Sequence, residues 1–279
     1  MPELPEVETV RRGLVPHLVG HRIVRLIQRR RDLRVPLPVK FAQKVEGRTV
    51  QAIDRRAKYL LIRLDDGQTL IAHLGMSGRM TLHDAAGAAE HPFHRHDHVV
   101  LETDEGWQVR FNDARRFGLM LLMRSETVPR HKLFKGLGPE PLDETFDGPA
   151  LAARLKGRRT PIKAALLDQK TLVGIGNIYA CEALFLSGIS PRRSAHTVQG
   201  ERADRLVAAL QQVLLRSIDD GGSTLRDHVQ PGGELGYFQT RFNVYDRAGA
   251  PCPTRDCGKI VKRLVQSGRS TFYCANCQR

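Results

Sequence analysis

The sequence predicts an α+β chain of several domains: a leading helix and a β-sandwich, then a helical domain, then a short β-rich tail. Three observations carry this expectation. Apolar spacing is helical from about Pro5 to Leu18 and then breaks into short β-branched or alternating runs up to about residue 130. Helical spacing returns beyond the Pro/Gly-rich stretch Gly136-Leu137-Gly138-Pro139-Glu140-Pro141. Four of the five cysteines fall in the last 28 residues. A chain of 279 residues is long enough for two or three separate cores. The expected boundaries are 1–135 for the sandwich, 136–237 for the helical domain with its trailing loop, and 238–279 for the cysteine tail.

Each element has a local cause. The runs Arg22–Ile27, Tyr59–Leu64, Thr69–Ala72 and Gln108–Phe111 are strand-like, and Asp66-Gly67 and Glu105-Gly106 supply turns between them. Thr160 followed by Pro161 reads as a cap and a first-turn proline for a helix reaching Gln169. Leu172–Ile189 is the most apolar stretch, but Asn177, Glu182 and its glycines make it a buried helix rather than a membrane span. A helix from Val198 to Ile218 places Leu206, Leu210, Val213 and Leu214 on one face and stops at Gly221-Gly222. The glycine-rich stretch from Gly221 to Gly236 is a loop.

Lys and Arg number 44 against 30 Asp and Glu, a net charge of +14, which calls for an anionic partner. Arginine doublets at 55–56, 115–116, 158–159 and 192–193 and a triplet at 29–31 spread that charge over the folded chain. Such a distribution suits a phosphate backbone, though a merely basic, soluble protein has the same composition. The first six residues are acidic and proline-broken, unlike a secretory leader, so the expected location is the cytoplasm, in association with the nucleoid.

Cys252, Cys257, Cys274 and Cys277 form a C-x4-C-x16-C-x2-C pattern. Two chelating pairs point to one structural Zn²⁺ in a zinc ribbon, since four thiolates leave no position open for catalysis. Disulfides are the alternative. Arg269 follows the turn-like Ser267-Gly268, where a hairpin tip can reach a phosphate or simply face solvent.

Pro2 follows the initiator methionine, and a small second residue usually permits removal of Met1. The exposed secondary amine would be partly neutral at pH 7, because an α-amino group titrates near 8. Attack on a deoxyribose C1′ gives an iminium ion that cannot neutralise by losing a proton from nitrogen, and so remains an electron sink. Glu3 and Glu6 bring carboxylates near that amine for proton transfer. Proline and glutamate also suit a helix N-terminus, so the hexapeptide alone leaves both readings open.

The segments Met1–Thr9, Arg55–Leu60, His73–Gly78, Arg115–Gly118, Gly176–Tyr179 and the terminal cysteines, taken together and in this order, resemble the formamidopyrimidine-DNA glycosylase family. The resemblance spans nearly the whole chain. It implies an N-terminal β-sandwich, a helix-two-turns-helix domain and a C-terminal β-hairpin zinc finger, with damaged double-stranded DNA bound in the cleft and a monomeric enzyme without a membrane partner. It further implies excision of 8-oxoguanine and formamidopyrimidines, preferentially opposite cytosine, and β,δ-elimination at the resulting site. Pro2 would be the nucleophile, Glu3 the acid for the ribose ring oxygen, Glu6 a supporting carboxylate and Lys58 a ligand of the phosphate near the lesion. His73 and Arg116 lie within matching motifs as DNA contacts. Met76, Arg115 and Phe117 would fill and wedge the gap left by a flipped base. Asn177 would cap the second helix of the two-turn motif and receive a phosphate, with Arg269 holding the same backbone. The loop from Gly222 to Tyr237 would cover the flipped base, with Ser223 and Thr224 as base contacts.

Three features depart from the family pattern. The first cysteine pair encloses four residues rather than two. Ala114 stands where proline is common, which would loosen the loop bearing Arg115. The stretch His91–His98 is rich in histidine and reads as a strand entry with His96 near phosphate, metal binding being the alternative. Two rivals remain at this point: an endonuclease VIII type acting on oxidised pyrimidines, and a non-catalytic zinc-ribbon DNA binder.

Overall fold

The computed structural model describes residues 1–223 and 231–279. Contacts divide the chain into two compact units, Met1–Lys135 with Ile218–Tyr237, and Gly136–Ser217 with Phe238–Arg279. This grouping differs from the three consecutive segments expected from composition. The stretch 218–237 folds with the N-terminal unit, because the Glu6 carboxylate accepts from Ser223 and the Leu82 N–H donates to the Pro231 carbonyl. The cysteine tail and the helices share the second unit.

The first unit starts with α1 (Leu4–Leu18), which is followed by β1 (Ile23–Gln28), α2 (Phe41–Val45), β2 (Val50–Arg56), β3 (Tyr59–Leu64), β4 (Gln68–His73), β5 (Arg79–His83), α3 (Ala85–Glu90), β6 (Asp97–Thr103), β7 (Gln108–Asn112) and β8 (Leu119–Arg124). The strands make two antiparallel four-stranded sheets, in the orders β1-β6-β7-β5 and β2-β3-β4-β8. Alternating side chains from both sheets meet α1 in one core, as the strand-rich reading requires. Helix α1 contributes Val7, Val10, Leu14 and Leu18 at helical spacing, each worth roughly 1.5–3 kcal/mol of burial before chain entropy is subtracted. Gly13 leaves room on this helix for Pro231, whose ring a Cβ there would meet at 2.8 Å.

The second unit contains α4 (Gly148–Leu155), α5 (Ile162–Leu167), α6 (Asn177–Leu186), most of α7 (Glu201–Asp219) and the hairpin β9 (Lys262–Gln266)–β10 (Arg269–Tyr273). Two helix expectations are corrected. Pro161, not Thr160, occupies the cap of α5, and the helix ends at Leu167 rather than Gln169 because the Asp168 carboxylate turns back to accept from the Lys170 N–H. The apolar stretch 172–189 is helical only from Asn177, since Gly174 takes a left-handed φ of 78° and the Gln169 amide oxygen accepts its N–H. Among the described residues no helix is long and apolar enough to cross a membrane.

Candidate active site

Pro2 is buried and leads directly into α1, for which Glu3 is the N-cap in extended conformation. Glu3 and Glu6 form a reciprocal capping box, in which Glu6 Oε2 accepts the Glu3 N–H at 2.8 Å. Glu6 Oε1 accepts both the Ser223 N–H at 2.9 Å and its hydroxyl at 3.0 Å. With both oxygens engaged and only 2% exposed, Glu6 serves as an anchor between α1 and the start of the 222–237 loop. Ser223 is thereby placed at the N-terminal end of α1; Thr224 lies outside the described residues.

Lys58 sits in the two-residue turn joining β2 to β3, where Ala57 takes the left-handed φ of 55°. Lys58 is 7% exposed. It lies close enough to His73, at the end of β4, to act on its titration. Burial first, then the positive charges of Lys58 and Arg34, push the His73 imidazole down to about 4. His73 Nδ1 accepts the Gly75 N–H at 2.9 Å, so a neutral ring carries its proton on Nε2 and offers a donor without adding a charge.

Met76 and Phe117 are 38% and 44% exposed, outside the core that a methionine and a phenylalanine would ordinarily join. They stand on two loops, 74–78 and 113–118, whose backbones touch. A Cβ on Gly75 would meet the Phe117 carbonyl carbon at 2.3 Å, and one on Gly118 would meet the His73 oxygen at 2.9 Å. Arg115 lays its guanidinium 4.7 Å from the Phe117 ring centroid, and Arg116 holds a left-handed φ of 58°. An exposed thioether, ring and guanidinium side by side make a stacking surface suited to bases. The Ala114 loop is closed despite the missing proline, because Asp113 accepts from Gly118 N–H at 2.7 Å through Oδ2 and from Arg116 N–H at 3.3 Å through its carbonyl.

His96 is partly buried, and desolvation with the neighbouring Arg95 and His94 holds it below its ordinary 6.5. Its ring lies 5.2 Å from that of His94 and 6.1 Å from that of His98. Among the described residues these histidines do not assemble into a cluster able to hold a metal; the four cysteines do.

In the second unit, Asn177 is the first residue of α6 but not its cap. Gly176 is the cap, and the Asn177 amide donates instead to the Ser270 carbonyl at 2.9 Å. The capping expectation fails because that amide is directed to the hairpin. Buried Lys163 donates to the same carbonyl at 2.9 Å and to the Thr271 hydroxyl at 2.6 Å. Arg269 thus begins β10 directly beside a pinned residue, at the Ser267-Gly268 turn, with its side chain exposed. Glu182, fully buried on α6, accepts the Asn243, Val244 and Tyr245 N–H groups and fixes the chain entering the tail.

The sulfurs of Cys252, Cys257, Cys274 and Cys277 lie within 4.8 Å of one another, with pairs at 3.8, 3.7 and 3.5 Å. A tetrahedral zinc with bonds of about 2.3 Å would separate its sulfurs by about 3.8 Å, so the set fits one zinc ion. The Lys259 N–H is the main influence drawing the Cys257 thiol down to about 6. At Cys277 the Thr254 hydroxyl is outweighed by burial and the neighbouring sulfurs, which push the thiol up to about 12, as four close-packed sulfurs share their protons unevenly. The longer knuckle is absorbed by left-handed conformations at Asp256 and Gly258.

The structure therefore brings Pro2, Glu3, Glu6 and Ser223 together, Lys58 with His73, Met76 with Arg115 and Phe117, and Asn177 with the Arg269 hairpin. Sequence reasoning missed Asp113, Ser77, Arg34, Lys163 and Glu182. Only Asp113 offered a local signal, standing beside Ala114 and two residues before Arg115.

Comparisons with known proteins agree over the full length. Residues 1–120 match the formamidopyrimidine-DNA glycosylase N-terminal domain, 137–229 the formamidopyrimidine-DNA glycosylase H2TH domain, and 249–279 a zinc finger found in FPG and IleRS. A formamidopyrimidine-DNA glycosylase of Rhodospirillum rubrum is 56% identical, and one of Dinoroseobacter shibae 55%, each over 100% of both chains. The crystal structure of the MutM (Fpg) protein of Thermus thermophilus is 42% identical, with a TM-score of 0.86 over 99% of this chain and 98% of the other. A Lactococcus lactis Fpg complexed with DNA containing an abasic site is 32% identical, with a TM-score of 0.86 over 99% of both chains. With six matched segments in order, a four-thiolate site of zinc dimensions and full-length identity above one half, the chain belongs to the formamidopyrimidine-DNA glycosylase family.

Proposed function

We propose that this protein is a bifunctional DNA glycosylase and abasic-site lyase of base-excision repair, acting as a cytoplasmic, nucleoid-associated monomer on damaged duplex DNA. Its substrates are 8-oxoguanine and formamidopyrimidines. The observation that carries this reading is the buried Pro2-Glu3 pair at the head of α1, in a unit that also exposes Met76, Arg115 and Phe117 for stacking. Relatives are named formamidopyrimidine-DNA glycosylase, and Lactococcus lactis Fpg proteins are seen in complexes with Fapy-dG and abasic-site DNA.

Chemistry begins once Met1 is removed and the Pro2 nitrogen is an amine. Its lone pair forms the N–C1′ bond while the glycosidic bond breaks; the base leaves with the bonding pair and takes up the proton that the Pro2 nitrogen sheds, which restores a lone pair on that nitrogen. Glu3 donates a proton to the ring oxygen as the sugar opens, and the nitrogen lone pair closes the C1′=N iminium. Loss of a C2′ proton then sends electrons towards C3′ and expels the 3′ phosphate; a second elimination releases the 5′ phosphate. Glu6 keeps α1 and Ser223 in register. Lys58 supplies positive charge for the phosphate at the lesion, and neutral His73 donates from Nε2. Arg116, His96, Asn177 and Arg269 hold further phosphates, and Ser223 and Thr224 are assigned as contacts of the extruded base. Bound zinc gives the tail a structural centre, and its ligands take no part in the reaction.

Borohydride reduction of reactions with duplexes containing 8-oxoguanine or thymine glycol tests the assignment. A covalent adduct formed faster with 8-oxoguanine is expected. Preference for thymine glycol would favour an enzyme for oxidised pyrimidines, and no adduct with either would leave only a binding protein.

A further inference from the structure

Met76 stands 39 positions before Arg115 and 41 before Phe117, on a separate loop, yet a gap left by a flipped base must be filled by all of them together. One fully buried residue joins the two loops. Asp113 Oδ1 accepts from the Ser77 hydroxyl at 2.6 Å, and Ser77 Oγ in turn accepts the Arg115 N–H at 3.1 Å. Asp113 Oδ2 accepts the Gly118 N–H at 2.7 Å, at the far end of the same loop. The backbone of Asp113 is itself fixed: its N–H donates to the His96 carbonyl at 3.0 Å, and its carbonyl is 2.8 Å from buried His98 Nε2. Each carboxylate oxygen therefore governs one loop. Direct backbone contact between Gly75 and Phe117 leaves little freedom for one loop to move without the other.

We propose that Asp113 is a positioning residue that locks the Met76 loop and the Arg115–Phe117 loop into a single pre-assembled wedge, with Ser77 as the link. It touches no DNA. Because Ser77 donates to Asp113, its oxygen is left facing the Arg115 N–H, and the base of the arginine is set before DNA arrives. Pre-assembly removes the ordering cost of two loops from the step in which the lesion leaves the stack. This inference rests on the assignment of Met76, Arg115 and Phe117 as gap-filling residues.

The test uses the full-length zinc-loaded protein and the variants Asp113→Ala and Ser77→Ala, with two readouts. Stopped-flow fluorescence of 2-aminopurine beside the 8-oxoguanine in a duplex reports insertion of the wedge. Borohydride trapping on a single-stranded abasic site reports the chemistry without base extrusion. Both variants are expected to slow the fluorescence phase and duplex excision by about tenfold, the scale of one buried hydrogen bond lost at that step. Trapping on the single strand should stay within about twofold, which also shows that the variants fold. Arg115→Ala should add little in the Ser77→Ala background, because the two residues act as one unit. If Asp113→Ala fails to fold, Ser77→Ala carries the test alone. Fluorescence phases at the wild-type rate in Ser77→Ala, or full additivity with Arg115→Ala, would overturn the proposal. A wild-type protein with no fluorescence phase or no trapping would instead refute the underlying function.

Discussion

Two regions of the N-terminal unit solve opposite problems with similar means. At the head of α1 the side chains proposed to react are buried, and the capping box and Ser223 hold them with hydrogen bonds. At the paired loops the side chains proposed to enter DNA are exposed, and only the groups beneath them, Asp113 and Ser77, are buried and bonded. Chemistry at a sugar needs a group with controlled protonation, which burial supplies. A wedge needs apolar surface that the free protein leaves in water, so its stability must come from the frame. Substitutions in the two regions should accordingly separate activity from stability in different ways.

The largest effect is expected at Pro2. Pro2→Gly replaces a secondary amine with a primary one, and excision of 8-oxoguanine should fall by about a thousandfold or more, equivalent to roughly 4 kcal/mol of barrier, in single-turnover assays. Blocking Met1 removal should likewise abolish lyase activity. Retention of wild-type rates by Pro2→Gly would break the contrast at its root.

His73 comes next, and its effect is on stability against pH. Its folded pKa, about 4, lies below the unfolded value near 6.5. Between these values the unfolded chain binds more protons, so stability rises with pH, is fully present above about 6.5 and is lost as pH falls towards 4. The shift corresponds to about 3 kcal/mol. Urea unfolding should show wild type losing about that much more than His73→Gln between pH 7 and 4; parallel curves would mean that the ring is not buried beside Lys58.

Glu6→Gln leaves one of the Glu6 contacts facing an amide instead of an oxygen. A stability loss of about 1–3 kcal/mol is expected, with reduced excision because α1 and Ser223 lose their common anchor. Unchanged stability would show that the capping box and the Ser223 contact do not hold the end of α1 together. The smallest structural effect belongs to Phe117→Ala, which should change stability by less than about 0.5 kcal/mol while slowing duplex excision about tenfold. A large loss of stability would place Phe117 in a core and remove the contrast.

Much of this arrangement was legible in the sequence because it is local. Apolar runs such as Tyr59–Leu64 became β3 without adjustment, and Ser267-Gly268 formed the hairpin turn with both residues at positive φ. Elements failed where a distant partner decided the outcome. Asn177 has the chemistry of a cap, but its amide goes to Ser270, 93 positions away. The 218–237 segment looked like an appendage of the helix before it, yet Glu6 and Pro231 contacts draw it into the first unit. The burial of Lys58 was not legible, because nothing in a strand–turn–strand pattern reports which way a turn faces. Asp113 and Ser77 were passed over for the same reason: their bond spans 36 positions and leaves no periodic trace.

Peptide mapping of the borohydride-trapped complex on an 8-oxoguanine duplex tests the central claim most directly. The reduced deoxyribose remnant should be found on the nitrogen of Pro2, in a peptide lacking Met1. A remnant on Lys58 or another lysine, or an adduct on a chain that still carries Met1, would contradict it.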